Sequence, residues 1–198
     1  MALPTYDKSK RRTSFQQLPK NAYVLKIMGA KEESNKNTSG RHLTIIFDIA
    51  EGEYKDFFAD QFEKNTNEDK KWPGDGTYYL TIPEDGGEEW KFTNWNSFFA
   101  DLEDSNNGFV FNGDPKQLKG KLIGGKFHIE QTENNGNVYD HTRLRWTCVA
   151  DDVRKGKAGK LPNDKLISGT KRPAASIGSG SPDFVNVPDD VTEEEIPF

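Results

Sequence analysis

The chain has 198 residues, a net charge of -5, 33% hydrophobic and 12% aromatic residues, and a mean hydropathy of -0.87. That length allows one ordinary domain with appendages, and the low hydrophobic share argues against a single globule running end to end. No apolar run approaches the ~20 residues that span a bilayer, and the single cysteine, Cys148, excludes an internal disulfide and a cysteine zinc cluster.

Residues 1 to 20 are polar and basic, with Lys8, Lys10, Arg11, Arg12 and Lys20 against Asp7. They read as a flexible N-terminal arm able to touch phosphates. No apolar stretch follows these charges, so no secretory signal is expected, and a reducing cytoplasm is the expected compartment. Residues 22 to 31 alternate as a strand, with Tyr23, Leu25 and Ile27 on one face. A polar loop follows at 33 to 40. Residues 41 to 50, RHLTIIFDIA, are the clearest strand, with Leu43, Ile45, Phe47 and Ile49 in alternation. Gly52 gives a turn, and EYKDFFADQF at 53 to 62 is expected to open as a third, interrupted strand.

The loop 63 to 76 is long for a compact domain and carries Lys70, Lys71 and Trp72 before a Pro-Gly pair. Residues 77 to 82, TYYLTI, predict a strand. A helix is expected next, with Trp95, Phe98, Phe99 and Leu102 at i, i+3, i+4 and i+7, ended by SNNG at 105 to 108. Residues 118 to 132 and 138 to 150 predict a hairpin turning at Asn135-Gly136. Gly124-Gly125 in mid-strand signals a bulge or sharp coil. Beyond Asp151 the pattern decays into a basic stretch and then a Gly/Ser-rich linker. The expected organisation is therefore an arm (1–20), a folded domain (21–167), a flexible linker (168–188) and an acidic tail (189–198). The element order is mainly β. It is that of an OB-fold, a five-stranded barrel with one helix between strands three and four, here followed by a disordered acidic tail.

The tail, DDVTEEEIPF, holds Asp189, Asp190, Glu193, Glu194 and Glu195 and ends in Ile196, Pro197 and Phe198. Self-repelling charge keeps such a segment from folding alone. An acidic run by itself only aids solubility, but an aromatic terminus suits a pocket on another protein. This ending closely resembles the C-terminal tail of bacterial single-stranded-DNA-binding proteins, which finishes in Ile-Pro-Phe. The body, through segments 41–58, 97–111 and 118–127, is similar to single-stranded-DNA-binding proteins of Gram-positive phages and mobile elements. The resemblance implies a non-catalytic protein that binds and protects single-stranded DNA in replication, recombination or repair. It also implies a tail that recruits partner proteins of those processes and competes with DNA for the groove. No cofactor, metal or membrane is expected, and a homo-oligomer is compatible with it. The acids from Asp183 onward carry the net negative charge, so the rest of the chain is about neutral and DNA binding is permitted.

Sequence-tolerant binding of single strands needs cations for phosphates and aromatic faces for bases. Trp72 stands in a basic polar loop and is expected to be exposed. Tyr78 and Tyr79 are adjacent, so one of them faces outward. In the last strand Tyr139, His141, Arg143 and Arg145 share one face, with Val138, Leu144, Trp146 and Cys148 on the other. Tyr139, Arg143 and Arg145 are thus groove candidates and Trp146 a core residue. Lys126, Lys55 and Arg41 are further cationic candidates. Two other readings stay open: a metal-dependent nuclease using Asp48, Glu53 and Lys55, and a replisome adaptor that binds no DNA.

Overall fold

The computed structural model describes residues 16–34 and 40–167. The expected linker and tail, and most of the basic arm, lie outside the described residues. Five strands carry the fold: β1 (Ala22–Ser34), β2 (Arg41–Ile49), β3 (Thr77–Thr81), β4 (Leu122–Asn134) and β5 (Asn137–Cys148). They form one antiparallel sheet in the order β3-β2-β1-β4-β5. Helix α1 (Phe57–Lys64) follows β2, α2 (Glu89–Ser105) lies between β3 and β4, and α3 (Ala150–Arg154) follows β5. The mainly β class and the helix between the third and fourth strands agree with the sequence. The sheet is open: no backbone ladder joins its edge strands β3 and β5 among the described residues.

The third-strand expectation at 53 to 62 is corrected. Glu53 to Asp56 form a turn, and Phe57–Lys64 is helical. Asp48 is the cause. Its carboxylate, buried at the end of β2, accepts from the amides of Phe58 at 2.9 Å and Ala59 at 2.9 Å, and from its neighbour Ile49 at 2.8 Å. It thereby satisfies donors at the α1 N-terminus that have no partner inside the helix. Burial pushes the Asp48 carboxyl upward, against these three N–H groups.

The core lies between the concave side of the sheet and the two longer helices. Phe47, Phe58 and Phe127 meet edge to face, Phe47 lying 5.6 Å from Phe58 and 5.9 Å from Phe127. Such edge-on contacts are favoured by the ring quadrupole. Phe98, Phe99 and Leu102 of α2 are buried as their spacing predicts. Asn106 then fastens the helix end to β4, donating to Leu102 O and Leu122 O at 2.7 Å each and accepting from the Leu122 amide at 3.0 Å.

The hairpin prediction holds. Asn134 pairs with Asn137, leaving Asn135 (φ 51) and Gly136 (φ 75) as a two-residue loop in which both residues have positive φ, the type I′ condition. Gly124-Gly125 is a place of close approach. A Cβ on Gly125 would lie 2.5 Å from Leu25 Cδ1 and 2.7 Å from Leu144 Cδ1. The bulge falls one step further on: Lys126 pairs with Trp146 and Phe127 with Leu144, so Arg145 is the extra residue on β5.

After α3 the chain returns as a strap. The Lys165 amide donates to Ile129 O and the Gln131 amide to Lys165 O, both at 2.9 Å. Asp164 takes an ion pair from Lys20 at 2.8 Å. Among the described residues no helix is long and apolar enough to cross a membrane.

Candidate nucleic-acid interface

The sheet curls until its two edges face each other across a groove of about 660 Å³. Tyr78 and Tyr79 of β3 line one wall, and Arg143, Arg145 and Trp146 of β5 line the other. His128 and Glu130 of β4, with Pro162, Asn163 and Lys165 of the strap, also line it. Side chains span the seam where the backbone does not. Asp75, in the turn before β3, accepts from Arg143 Nε at 3.3 Å and lies 3.2 Å from His141 Nδ1.

Tyr79 is 62% exposed and meets His42 edge-on at 5.5 Å. Tyr78 points the other way and stacks on Phe98 of α2 at 6.2 Å. Burial pushes the Tyr78 hydroxyl upward, and the Arg145 charge opposes that shift. The pair therefore faces as alternation requires, with Tyr79 the outward member.

Trp146 is a correction. It is 47% exposed rather than core, because the bulge at Arg145 shifts the phase of β5. Lys126 and Phe127 are consecutive and point to opposite faces. Their partners Trp146 and Leu144 must do so too, so Leu144 is buried while Trp146 turns to solvent. Arg145 is exposed beside it. Tyr79, Arg145 and Trp146 thus bring two open aromatic faces and a guanidinium to one surface.

The remaining candidates fall elsewhere. Trp72 is corrected from an exposed platform to a structural residue. Its indole N–H donates to Gly76 O at 3.1 Å, and its ring packs 5.7 Å from Phe62. A Cβ on Gly76 would lie 2.7 Å from that indole nitrogen, so glycine is needed there. Lys126 stands beside the groove and not in its lining. Its ammonium donates to Ala158 O at 3.1 Å and sits 5.9 Å from the Trp146 ring. Arg41 pairs with Glu32 at 2.8 Å, and Lys55 lies 4.0 Å from Asp56; neither lines the groove. Tyr139 is half exposed near the tip of the β4–β5 hairpin, paired with Thr132, outside the groove lining. The partner-binding residues Asp189 to Phe198 lie outside the described residues.

Sequence reasoning missed Asp75, Glu130 and Lys165. Glu130 accepts from Arg143 Nη1 at 2.9 Å and from Lys165 Nζ at 2.7 Å. Lys165 and then Arg143 hold its carboxyl below the ordinary value, against a push from burial. On β4 the sequence offered only Lys126 as a groove candidate, and nothing local in the sequence marks Lys165 as a strap residue.

Asp48, weighed above for a nuclease, has structural partners, and so does His128 in the groove lining. Asp48 spends both carboxylate oxygens on backbone amides of its own chain. His128 lies 3.2 Å from Asn163 O through Nδ1. Burial pushes the Cys148 thiol up to about 11, which keeps it protonated at neutral pH. Neither a family model nor a curated protein matches the chain.

Proposed function

We propose that this chain is a non-catalytic single-stranded-DNA-binding protein whose strand lies in the groove between β3 and β5. The observation that carries the reading is the meeting of Tyr79, Trp146 and Arg145 on one open surface. Two exposed rings offer stacking to bases of any identity, and the guanidinium beside them offers charge to the phosphate. The fold is read as an OB barrel left unzipped at one seam. The order β3-β2-β1-β4-β5 becomes a closed five-stranded barrel once β3 and β5 are joined, and this family of folds is partly open. The acidic tail from Asp189 to Phe198 serves to recruit replication, recombination or repair proteins. Its carboxylates provide steering, and its terminal Phe198 ring the anchor.

The test is a titration of intrinsic tryptophan fluorescence with oligo-dT. Trp146 lies in the groove, so bound bases quench it. Alanine at Tyr79 or Trp146 weakens binding by about 1–3 kcal/mol for each lost stack. Deletion of residues 189–198 raises affinity for oligo-dT at low salt and abolishes capture of replication proteins. A full-length protein that shows neither quenching nor a mobility shift with oligo-dT at low salt overturns the reading.

A further inference from the structure

The groove contains cations, but most of them are already engaged. Arg143 gives Nη1 to Glu130 at 2.9 Å and Nε to Asp75 at 3.3 Å. Lys165 gives its ammonium to the other oxygen of Glu130 at 2.7 Å. Glu130 is the least exposed member of this set, its side chain 17% accessible against 39% for Arg143 and 74% for Lys165. Outside the groove lining, the Lys126 ammonium is turned to the Ala158 carbonyl. Arg145 alone of the groove guanidinium and ammonium groups has no ion pair among the described residues.

A carboxylate held by a guanidinium uses the same donor geometry that a phosphate oxygen would use. Glu130 therefore stands where a backbone phosphate would be drawn. We infer that Glu130, assisted by Asp75, acts as an internal substitute for phosphate that limits affinity and leaves the site to choose its ligand mainly by base stacking. This inference rests on the single-strand reading of the same groove. An incoming strand either displaces the Glu130 carboxylate from Arg143 or makes its charge contact through Arg145 alone. Ligands then differ chiefly in how well their bases stack on Tyr79 and Trp146, and loss of backbone charge matters little.

The consequence is a shallow salt dependence. Each phosphate neutralised on a single strand contributes about 0.7 to the slope of log affinity against log salt. With Arg145 as the one groove cation free of an ion pair among the described residues, the groove gives a slope of about -0.7. Glu130→Gln keeps the side-chain shape while removing the charge. It releases Lys165 and the Nη1 side of Arg143, whose Nε stays on Asp75, and steepens the slope by up to about 1.4. The strap keeps its backbone bonds to Ile129 and Gln131 in this variant. Asp75→Asn releases only one contact to Arg143 and does not touch the strap, so it separates charge release from any loosening there.

The experiment titrates full-length wild type, Glu130→Gln and Asp75→Asn with oligo-dT and with methylphosphonate oligo-dT, across a salt series, by tryptophan fluorescence. The expected result is wild-type binding of both oligomers with similar affinity. Glu130→Gln then binds oligo-dT about ten-fold more tightly at low salt with a steeper slope, gains nothing on the uncharged oligomer, and Asp75→Asn shifts both quantities in the same direction by less. Weaker binding in Glu130→Gln, or an unchanged slope in both variants, overturns the inference and makes Glu130 a support that aims Arg143. A wild type that binds neither oligomer at any salt overturns the single-strand reading itself.

Discussion

The sheet has two seams of opposite construction. Where β1 meets β4, five residue pairs from Ala22–Lys126 to Lys26–Leu122 form a continuous ladder. The side chains of Leu25 and Leu144 cover Gly125 there and leave no room for a Cβ. Where β3 faces β5, backbone bonding is replaced by Asp75 reaching His141 and Arg143. The first seam is sealed and apolar and serves stability. The second is polar, spanned by side chains, and leaves a groove. Apolar burial and laddered amides hold the body together, whereas half-exposed ion pairs contribute little to stability and can exchange with a ligand.

Substitutions on the two seams should therefore differ in kind. The largest effect is expected at Leu25→Ala on the sealed seam, where a side chain 0% exposed is truncated. About 2–5 kcal/mol of unfolding free energy is lost, read from the urea midpoint. Gly125→Ala inserts a methyl group into the contact with Leu25 and Leu144 and costs about 1–3 kcal/mol in the same assay. On the open seam Asp75→Asn changes stability by less than about 1 kcal/mol, since its side chain is 33% exposed in a surface pair. A loss at Asp75 as large as that at Leu25 would erase the distinction between the seams.

The smallest effect is a pH dependence from Glu130. Its folded value lies below the ordinary 4.5, so its contribution to stability is full above that pH. The contribution is lost as pH falls from 4.5 through the lowered folded value. Urea midpoints measured down this range should fall less steeply for Glu130→Gln than for wild type.

Most of the strand set was legible because the signals were local. The alternation of 41 to 50, the i, i+3, i+4, i+7 spacing of Trp95, Phe98, Phe99 and Leu102, and the Asn135-Gly136 turn each lie within a few residues. Two features escaped because they depend on partners distant in sequence. The helix at Phe57–Lys64 is organised by Asp48, whose role as acceptor for Phe58 and Ala59 follows from tertiary burial. The exposure of Trp146 depends on a bulge whose extra residue, Arg145, is defined only by register against β4. Gly124-Gly125 marked the neighbourhood of that bulge without saying on which strand the extra residue falls. Trp72 failed for a related reason: its basic, polar neighbours suggested solvent, while Gly76 four residues on supplies both space and a carbonyl for its indole.

The fastenings at the two ends of the body also bear on when the fold can be completed. Thr142 donates its hydroxyl to Leu18 O across 124 residues, and Lys20 meets Asp164 across 144. The β4–β5 hairpin forms from neighbours and needs neither of these. The N-terminal segment, by contrast, has to wait for its anchor. At ~5–20 residues per second, Thr142 is polymerised roughly 6–25 s after Leu18, and Asp164 later still. During that interval the segment around Leu18 lacks these fastenings on the ribosome. The body is expected to become resistant to protease only after Asp164 has cleared the exit tunnel, a stage that stalled nascent chains of increasing length would locate.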